Sequence, residues 1–404
     1  MKKGICLLLC ISVLLSVAAC KSKERIQKPM DPNPSPIPEV DLIEQQVEQM
    51  LESMTIEEKI AQMLIIYHKG DVVDDVLVSE IENVKPGGFI LFANNISTYE
   101  KTKTFVDTLQ NHSEIPMMIT IDQEGGSVQR MKALTEPKAT EIPEMYTLGT
   151  TNDEKLAYDV GRVMAEEMRT IGVNVVFGPV VDIASDVKQS FMGTRCFGST
   201  PDVVSKMALG LAKGMEDHHI IATYKHFPGH GDTKTDSHTS LPIIRKGLKE
   251  LQGEELIPFQ NAIDGGAQMI MIGHIALPEL TGDYTPASLS KEIITDLLKT
   301  EMGYKGLVVT DALNMGALTN AYSNEEIYVK AIEAGVDLLL MPHDAAEAIE
   351  SIKEHVSESR IDESVRKILR FKCTYLSEEH SLDASCLNSD EHQSIIDKVY
   401  AKNE

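Results

Sequence analysis

Residues 306–312 read GLVVTDA: a glycine, an unbroken apolar run, a threonine and then a carboxylate at Asp311. A strand that is apolar at every position is buried on both faces, as in a parallel sheet covered by helices. Seven further runs share this character: AQMLIIY from Ala61, GGFILF from Gly87, PMMITID from Pro116, VNVVFGPV from Val173, IIATYKHF from Ile220, AQMIMIGHI from Ala267 and VDLLLMP from Val336. Amphipathic segments such as TKTFVDTLQNH and SKEIITDLLKTEM lie between them, and parallel strands require crossovers of that kind. Eight such units in roughly 330 residues predict an α/β fold of the (β/α)8 TIM-barrel type over residues 41–376. An open doubly wound sheet binding a dinucleotide fits less well, because no G-x-G-x-x-G follows the first strand.

Barrels of this type collect their chemistry at the carboxyl ends of the strands. Polar residues stand at those places: Asp122 after MMITI, Lys225 and His226 after IIATY, His274 after MIMIG, and Asp311 after LVVT. A charge at a buried rim is rare unless it is paired or useful, although an aspartate capping the following ALNMGAL segment would also explain Asp311. In IDQEGGSVQR, Asp122, Glu124 and Arg130 surround a Gly-Gly turn. Such a mixture of carboxylate and guanidinium suits a hydroxyl-rich ligand, or equally a salt-bridged loop. Arg195, in GTRCFG, poses the same choice.

The densest polar stretch, KHFPGHGDTKTDSH, runs from Lys225 to His238. It has no compact metal-ligand spacing such as H-E-x-x-H. Asp236, two residues before His238, can orient and charge-stabilise an imidazole, making a proton-transfer unit near neutral pH. Gly229 and Gly231 read as hinges of a movable loop. A polar loop with only local hydrogen bonds is the plain alternative.

Ahead of the barrel, MKKGICLLLCISVLLSVAACKS has a basic start, an apolar stretch and small residues before Cys20, which is the layout of an export signal over residues 1–19. LSVAAC resembles the bacterial lipobox, which implies lipidation of Cys20 and attachment to a membrane. Residues 20–40, rich in proline and polar side chains, read as a tether. Cys196, Cys373 and Cys386 are then an odd set without metal spacing, so neither a disulfide framework nor a zinc site is signalled. The formal charge of -24 argues against a nucleic-acid partner. Residues 377–404 are polar, with one possible short helix, and read as a peripheral tail.

At MTIEEKIAQM, GGFILF, IDQEGGSVQR, GTRCFG, KHFPGHGDTKTDSH, TPASLS, GLVVTDALNMGAL and AIEAGVDLLLMP, the chain resembles bacterial β-N-acetylglucosaminidases of glycoside hydrolase family 3. The resemblance covers nearly the whole expected barrel. It implies a retaining glycosidase with Asp311 as nucleophile, and His238 as general acid/base assisted by Asp236 on a mobile loop. It also implies that Asp122, Arg130, Arg195, Lys225 and His226 hold a terminal N-acetylglucosamine. Other branches of the family carry a second domain that contributes catalytic groups. The chain ends too soon after the barrel to hold one, so the histidine loop is expected to supply the acid. Cys196 in place of a commoner serine, and SDVKQSFM in place of an asparagine- and proline-rich run, alter the loop that would hold the sugar. The expected activity is exo-cleavage of GlcNAc from peptidoglycan fragments in cell-wall turnover, with no cofactor or metal. Chitooligosaccharide hydrolysis, phosphorolysis at the same site and a non-catalytic sugar-binding lipoprotein are the competing expectations.

Overall fold

A computed structural model describes residues 39–233, 236–237, 239–377 and 382–403. The export signal, Cys20, the tether up to residue 38, and His238 lie outside the described residues. All eight apolar runs contain strands: β1 (Leu64–Ile66), β2 (Gly88–Leu91), β3 (Met118–Ile121), β4 (Val175–Val176), β5 (Ile221–Phe227), β6 (Met269–Ile272), β7 (Leu307–Thr310) and β8 (Leu339–Leu340). Each is buried along its whole length, as continuous apolarity requires.

The strands pair in parallel in the order β8-β1-β2-β3-β4-β5-β6-β7. A parallel bridge between Val309 and Leu338 joins the two ends, and the Thr310 amide donates to the Leu338 carbonyl at 3.0 Å. The sheet is therefore a cylinder enclosed by helices, which leaves no free edge. β4 keeps only two of the eight residues in its apolar run, because Gly178-Pro179 follows it and proline has no N–H to give to the ladder.

The local signals near the amino terminus act as their chemistry dictates. Thr55 Oγ1 accepts from the Glu58 amide at 3.2 Å, and the Thr55 amide donates to Glu58 Oε2 at 3.0 Å. This reciprocal cap starts the helix Ile56–Gln62.

After β3, Gln123–Gly125 and Val128–Gln129 form an antiparallel hairpin. Gly126 at its tip has φ +54°, a conformation open to glycine at no cost.

Residues 377–404 are less peripheral than their polarity suggests. The described part carries a helix, Asp390–Ala401, with His392, Ile395, Ile396 and Val399 buried. This face packs on the helix Glu154–Thr170. Average polarity over the segment conceals an apolar stripe at helical spacing. Among the described residues, no helix is long and apolar enough to cross a membrane.

Candidate active site

Asp311 is the first residue beyond β7. Its amide donates to the Ile272 carbonyl at 2.9 Å, which extends the β6–β7 ladder by one step and sets the carboxylate at the barrel rim. One carboxylate oxygen accepts the Ala312 amide at 2.8 Å. Burial alone would raise the pKa of this half-buried group. The fields of His226, His274 and Lys225, together with the Ala312 amide, outweigh burial and hold it below the ordinary aspartate range. Asp311 is thus biased towards its anionic form although it is only partly open to water.

His274, two residues beyond β6, is fully buried. Its Nε2 lies 3.0 Å from the Ala312 carbonyl and its Nδ1 lies 2.7 Å from Ser288 Oγ. A carbonyl can only accept, so Nε2 carries a proton and the ring is oriented against the turn that holds Asp311.

The end of β5 supplies Lys225 and His226, joined by a cis peptide bond. Buried Lys225 reaches Asp122 Oδ1 at 2.9 Å and Glu124 Oε1 at 2.7 Å. Arg195 grips the same Glu124 through Nε and Nη2, each at 2.7 Å. Arg130 Nη2 meets Asp122 Oδ2 at 3.3 Å. Burial would neutralise these groups, but mutual attraction wins: Glu124 is held far below the carboxylate range, and Lys225 and Arg195 are raised above their ordinary values. The result is a rigid strip of alternating charge. Arg130 Nε is buried and has no hydrogen-bond partner among the described residues.

His226 is fixed from the opposite side by Asp182, in the loop after β4. Asp182 Oδ2 receives His226 Nδ1–H at 2.7 Å, and Oδ1 receives the His226 and His230 amides at 3.2 and 2.6 Å. Three donors overcome the burial penalty and keep Asp182 ionised. The imidazole is thereby locked with Nδ1 protonated, and Nε2 is the nitrogen this carboxylate does not use. His230 is pushed down to about 4 by burial and by neighbouring His226, so it serves as a neutral strut, with Nε2 at 3.3 Å from Ser237 Oγ.

The loop after β5 crosses towards the segment that begins at Asp311. The Ala317 amide donates to the Ser237 carbonyl at 3.2 Å, and Asn320 Nδ2 donates to the Thr239 carbonyl at 3.0 Å. Asp236 is half-buried, and its carbonyl accepts the Thr239 and Ser240 amides, each at 3.1 Å. The glycines differ in role from the expected hinges. A Cβ on Gly231 would lie 1.9 Å from the Ile183 carbonyl oxygen, so this glycine permits close packing against the Asp182 loop.

Asp122, Arg130, Arg195, Lys225, His226 and Asp311 therefore gather at one end of the barrel, as expected from their positions. Asp182 stands past a Gly-Pro where no strand-end signal points, whereas Glu124 and His274 lie at places where the sequence sets polar residues after the strands. All three do the positioning. The arrangement presents one carboxylate, held below its ordinary range, near a strip of paired charges.

The profile of the glycosyl hydrolase family 3 N terminal domain matches residues 55–371. Beta-hexosaminidase A of Pseudoalteromonas piscicida is 34% identical over 275 residues, covering 63% of this chain and 46% of that protein, so the chain spans about half its length. A beta-hexosaminidase of Nitrosomonas eutropha is 33% identical over 65% of this chain and 76% of its own. Beta-hexosaminidase LpqI of Mycobacterium tuberculosis is 32% identical over 70% of this chain and 72% of its own. Among solved structures, a glycoside hydrolase family 3 beta-N-acetylglucosaminidase from a Paenibacillus species superposes with a TM-score of 0.81, at 32% identity over 87% of this chain and 69% of that one.

Proposed function

This chain belongs to glycosyl hydrolase family 3 and is a glycoside hydrolase, and from that premise we propose that it is a retaining exo-β-N-acetylglucosaminidase acting on peptidoglycan fragments. The observation that carries the reading is Asp311: a carboxylate at a strand end, held below the ordinary aspartate range against burial and half-closed to water.

In the proposed reaction an Asp311 oxygen attacks the anomeric carbon while the bond from that carbon to the leaving oxygen breaks. The departing oxygen takes its proton from His238, which Asp236 orients. A covalent glycosyl-enzyme results. Water, deprotonated by the same His238, then attacks the anomeric carbon, freeing GlcNAc and restoring Asp311. His238 itself lies outside the described residues. Support for its role comes from Ser237 and Thr239 on either side of it, both hydrogen-bonded to the segment that follows Asp311. An imidazole acid also adds no second anion beside an ionised nucleophile, so it avoids the like-charge repulsion of two carboxylates.

The remaining residues suit the terminal sugar. Asp122, Lys225 and Arg130 offer charged acceptors and donors for vicinal hydroxyls, and His226 offers a ring of fixed tautomer. Export and lipidation at Cys20 would bring this site to the cell wall. This favours wall fragments as substrate over free chitooligosaccharides.

The stereochemical outcome tests the mechanism. Proton NMR of the first-formed GlcNAc should show the β-anomer, and an α-anomer would reject the covalent route. Asp311→Ala should lower kcat/KM at least ~10⁴-fold with an unchanged circular dichroism spectrum.

A further inference from the structure

The chain leaves β5 at Phe227 and enters its next helix at Leu248, so Asp236 and His238 lie in sequence between two feet of one loop. The first foot, residues 229–233, rests on the chain that follows β4. Ser190 Oγ donates to the Gly231 carbonyl, the Phe191 amide donates to the Thr233 carbonyl at 2.9 Å, and the Ser185 amide donates to Asp232 Oδ1 at 3.2 Å. The second foot runs beside the chain that follows β6. The Ile244 amide donates to the Ala276 carbonyl and the Ala276 amide to the Pro242 carbonyl, each at 2.9 Å.

Lys246 joins these feet. Its ammonium lies 3.0 Å from Asp232 Oδ2, which is 14 positions earlier, 3.0 Å from Glu254 Oε2, and against Glu255 Oε1. Glu255 is buried, and its Oε2 has no hydrogen-bond partner among the described residues. The three carboxylates offer oxygens within 4.8 Å of one another, and like charges that close repel. One ammonium in contact with all three turns that repulsion into a bond across the base of the loop. Burial alone would lower the lysine pKa, but the bonds to Glu255, Asp232 and Glu254 outweigh it and raise the group above its ordinary value. A tie between the two ends of a loop reduces the arrangements open to the chain between them.

We propose that Lys246 is a positioning residue for proton transfer: by clasping Asp232 it fixes the base of the loop that carries Asp236 and His238, and so sets where that loop meets the segment after Asp311. That meeting is made through Ser237 and Thr239, and a displacement of about 1 Å at a reacting group is enough to cost ~100-fold in rate. The proposal rests on the glycosidase reading above and adds a residue remote from the sugar to it.

The test compares kcat/KM for phenyl and dinitrophenyl β-N-acetylglucosaminides, using the full chain. The phenyl leaving group needs a proton and the dinitrophenyl group does not. Lys246→Met should lower the phenyl value at least ~10-fold and the dinitrophenyl value less than ~3-fold, whereas Lys246→Arg should keep most of both. Asp232→Asn weakens the tie and leaves Lys246 to compensate Glu255, so it should show the same selective loss to a smaller degree. It decides the matter alone if circular dichroism shows Lys246→Met unfolded. Equal losses on the two glycosides, or no loss on either, in folded variants overturns the clasp and leaves the glycosidase reading intact. A wild type that cleaves neither glycoside overturns that reading and the clasp with it.

Discussion

Asp182 and Asp311 are both aspartates in apolar surroundings, and both are held below the ordinary range against burial: Asp182 by the fields and hydrogen bonds of His226 and His230, Asp311 by the fields of His226, His274 and Lys225 with the Ala312 amide. The pattern of a carboxylate closing an apolar run points to Asp311. The same signal is present in VVDIA around Asp182, but it lies past the Gly-Pro that ends β4, outside the place where a strand-end rule looks. Glu124 was visible in IDQEGG. Its two cationic partners come from loops and strands 71 and 101 positions later, and no local spacing announces such a meeting. Asp182 yields a sharp expectation. Asp182→Asn is nearly isosteric, yet it removes the charge and turns one oxygen acceptor into an NH2 facing donors. The loss of a charge-assisted bond predicts a kcat/KM about 10–100-fold lower, with the greater part in KM if His226 holds substrate. Steady-state kinetics checks this, and wild-type constants in a well-folded variant would remove Asp182 from the positioning role.

Among elements, the eight strands were legible because burial on both faces keeps their runs mostly apolar, the charged exceptions Lys225 and His226 falling at the carboxyl end of β5. Loop glycines were harder to read, since flexibility and close approach place the same residue in the sequence. Gly231 proves to be a contact. The carboxyl-terminal helix was legible as one possible short helix, but its docking on the barrel was not. Its docking depends on one buried histidine: His392 Nδ1 lies 3.0 Å from Glu167 Oε1, and Nε2 lies 2.8 Å from Glu166 Oε2. Arg162 and His218 also face Glu166, and Thr140 and the Asn388 amide bond Glu167. Burial would lower the pKa of His392, but the two glutamates overcome it and raise the group to about 9. A raised folded-state value means the stabilisation is complete below the unfolded pKa of about 6.5 and is lost as pH climbs through about 9. The effect is at most about 3 kcal/mol. Thermal unfolding between these pH values should therefore show a falling midpoint in the wild type and a flatter profile in His392→Ala. Equal pH slopes in the two proteins would show that this contact does not hold the helix.

For the molecule as a whole, the count of eight parallel units favoured a closed barrel over an open sheet, and the Val309–Leu338 bridge is what closes it; the expected membrane attachment belongs to the segment ahead of the barrel. No described helix can cross a bilayer, and a formal charge of -24 gives the chain no attraction to an anionic lipid surface. The expected point of attachment is the amino-terminal segment, where Cys20 follows LSVAA. Acyl chains contribute about 0.8 kcal/mol per buried CH2, and one chain alone holds a protein only marginally. A lipid-modified cysteine carrying two or more chains would hold it firmly and independently of salt. Fractionation of cells producing the full chain should place the wild type in the membrane pellet after a high-salt wash. Cys20→Ser should move it to the soluble fraction with its glycosidase activity preserved, because the barrel begins after the tether. A variant that stays in the pellet, or a wild type released by salt alone, would mean that something other than Cys20 makes the attachment.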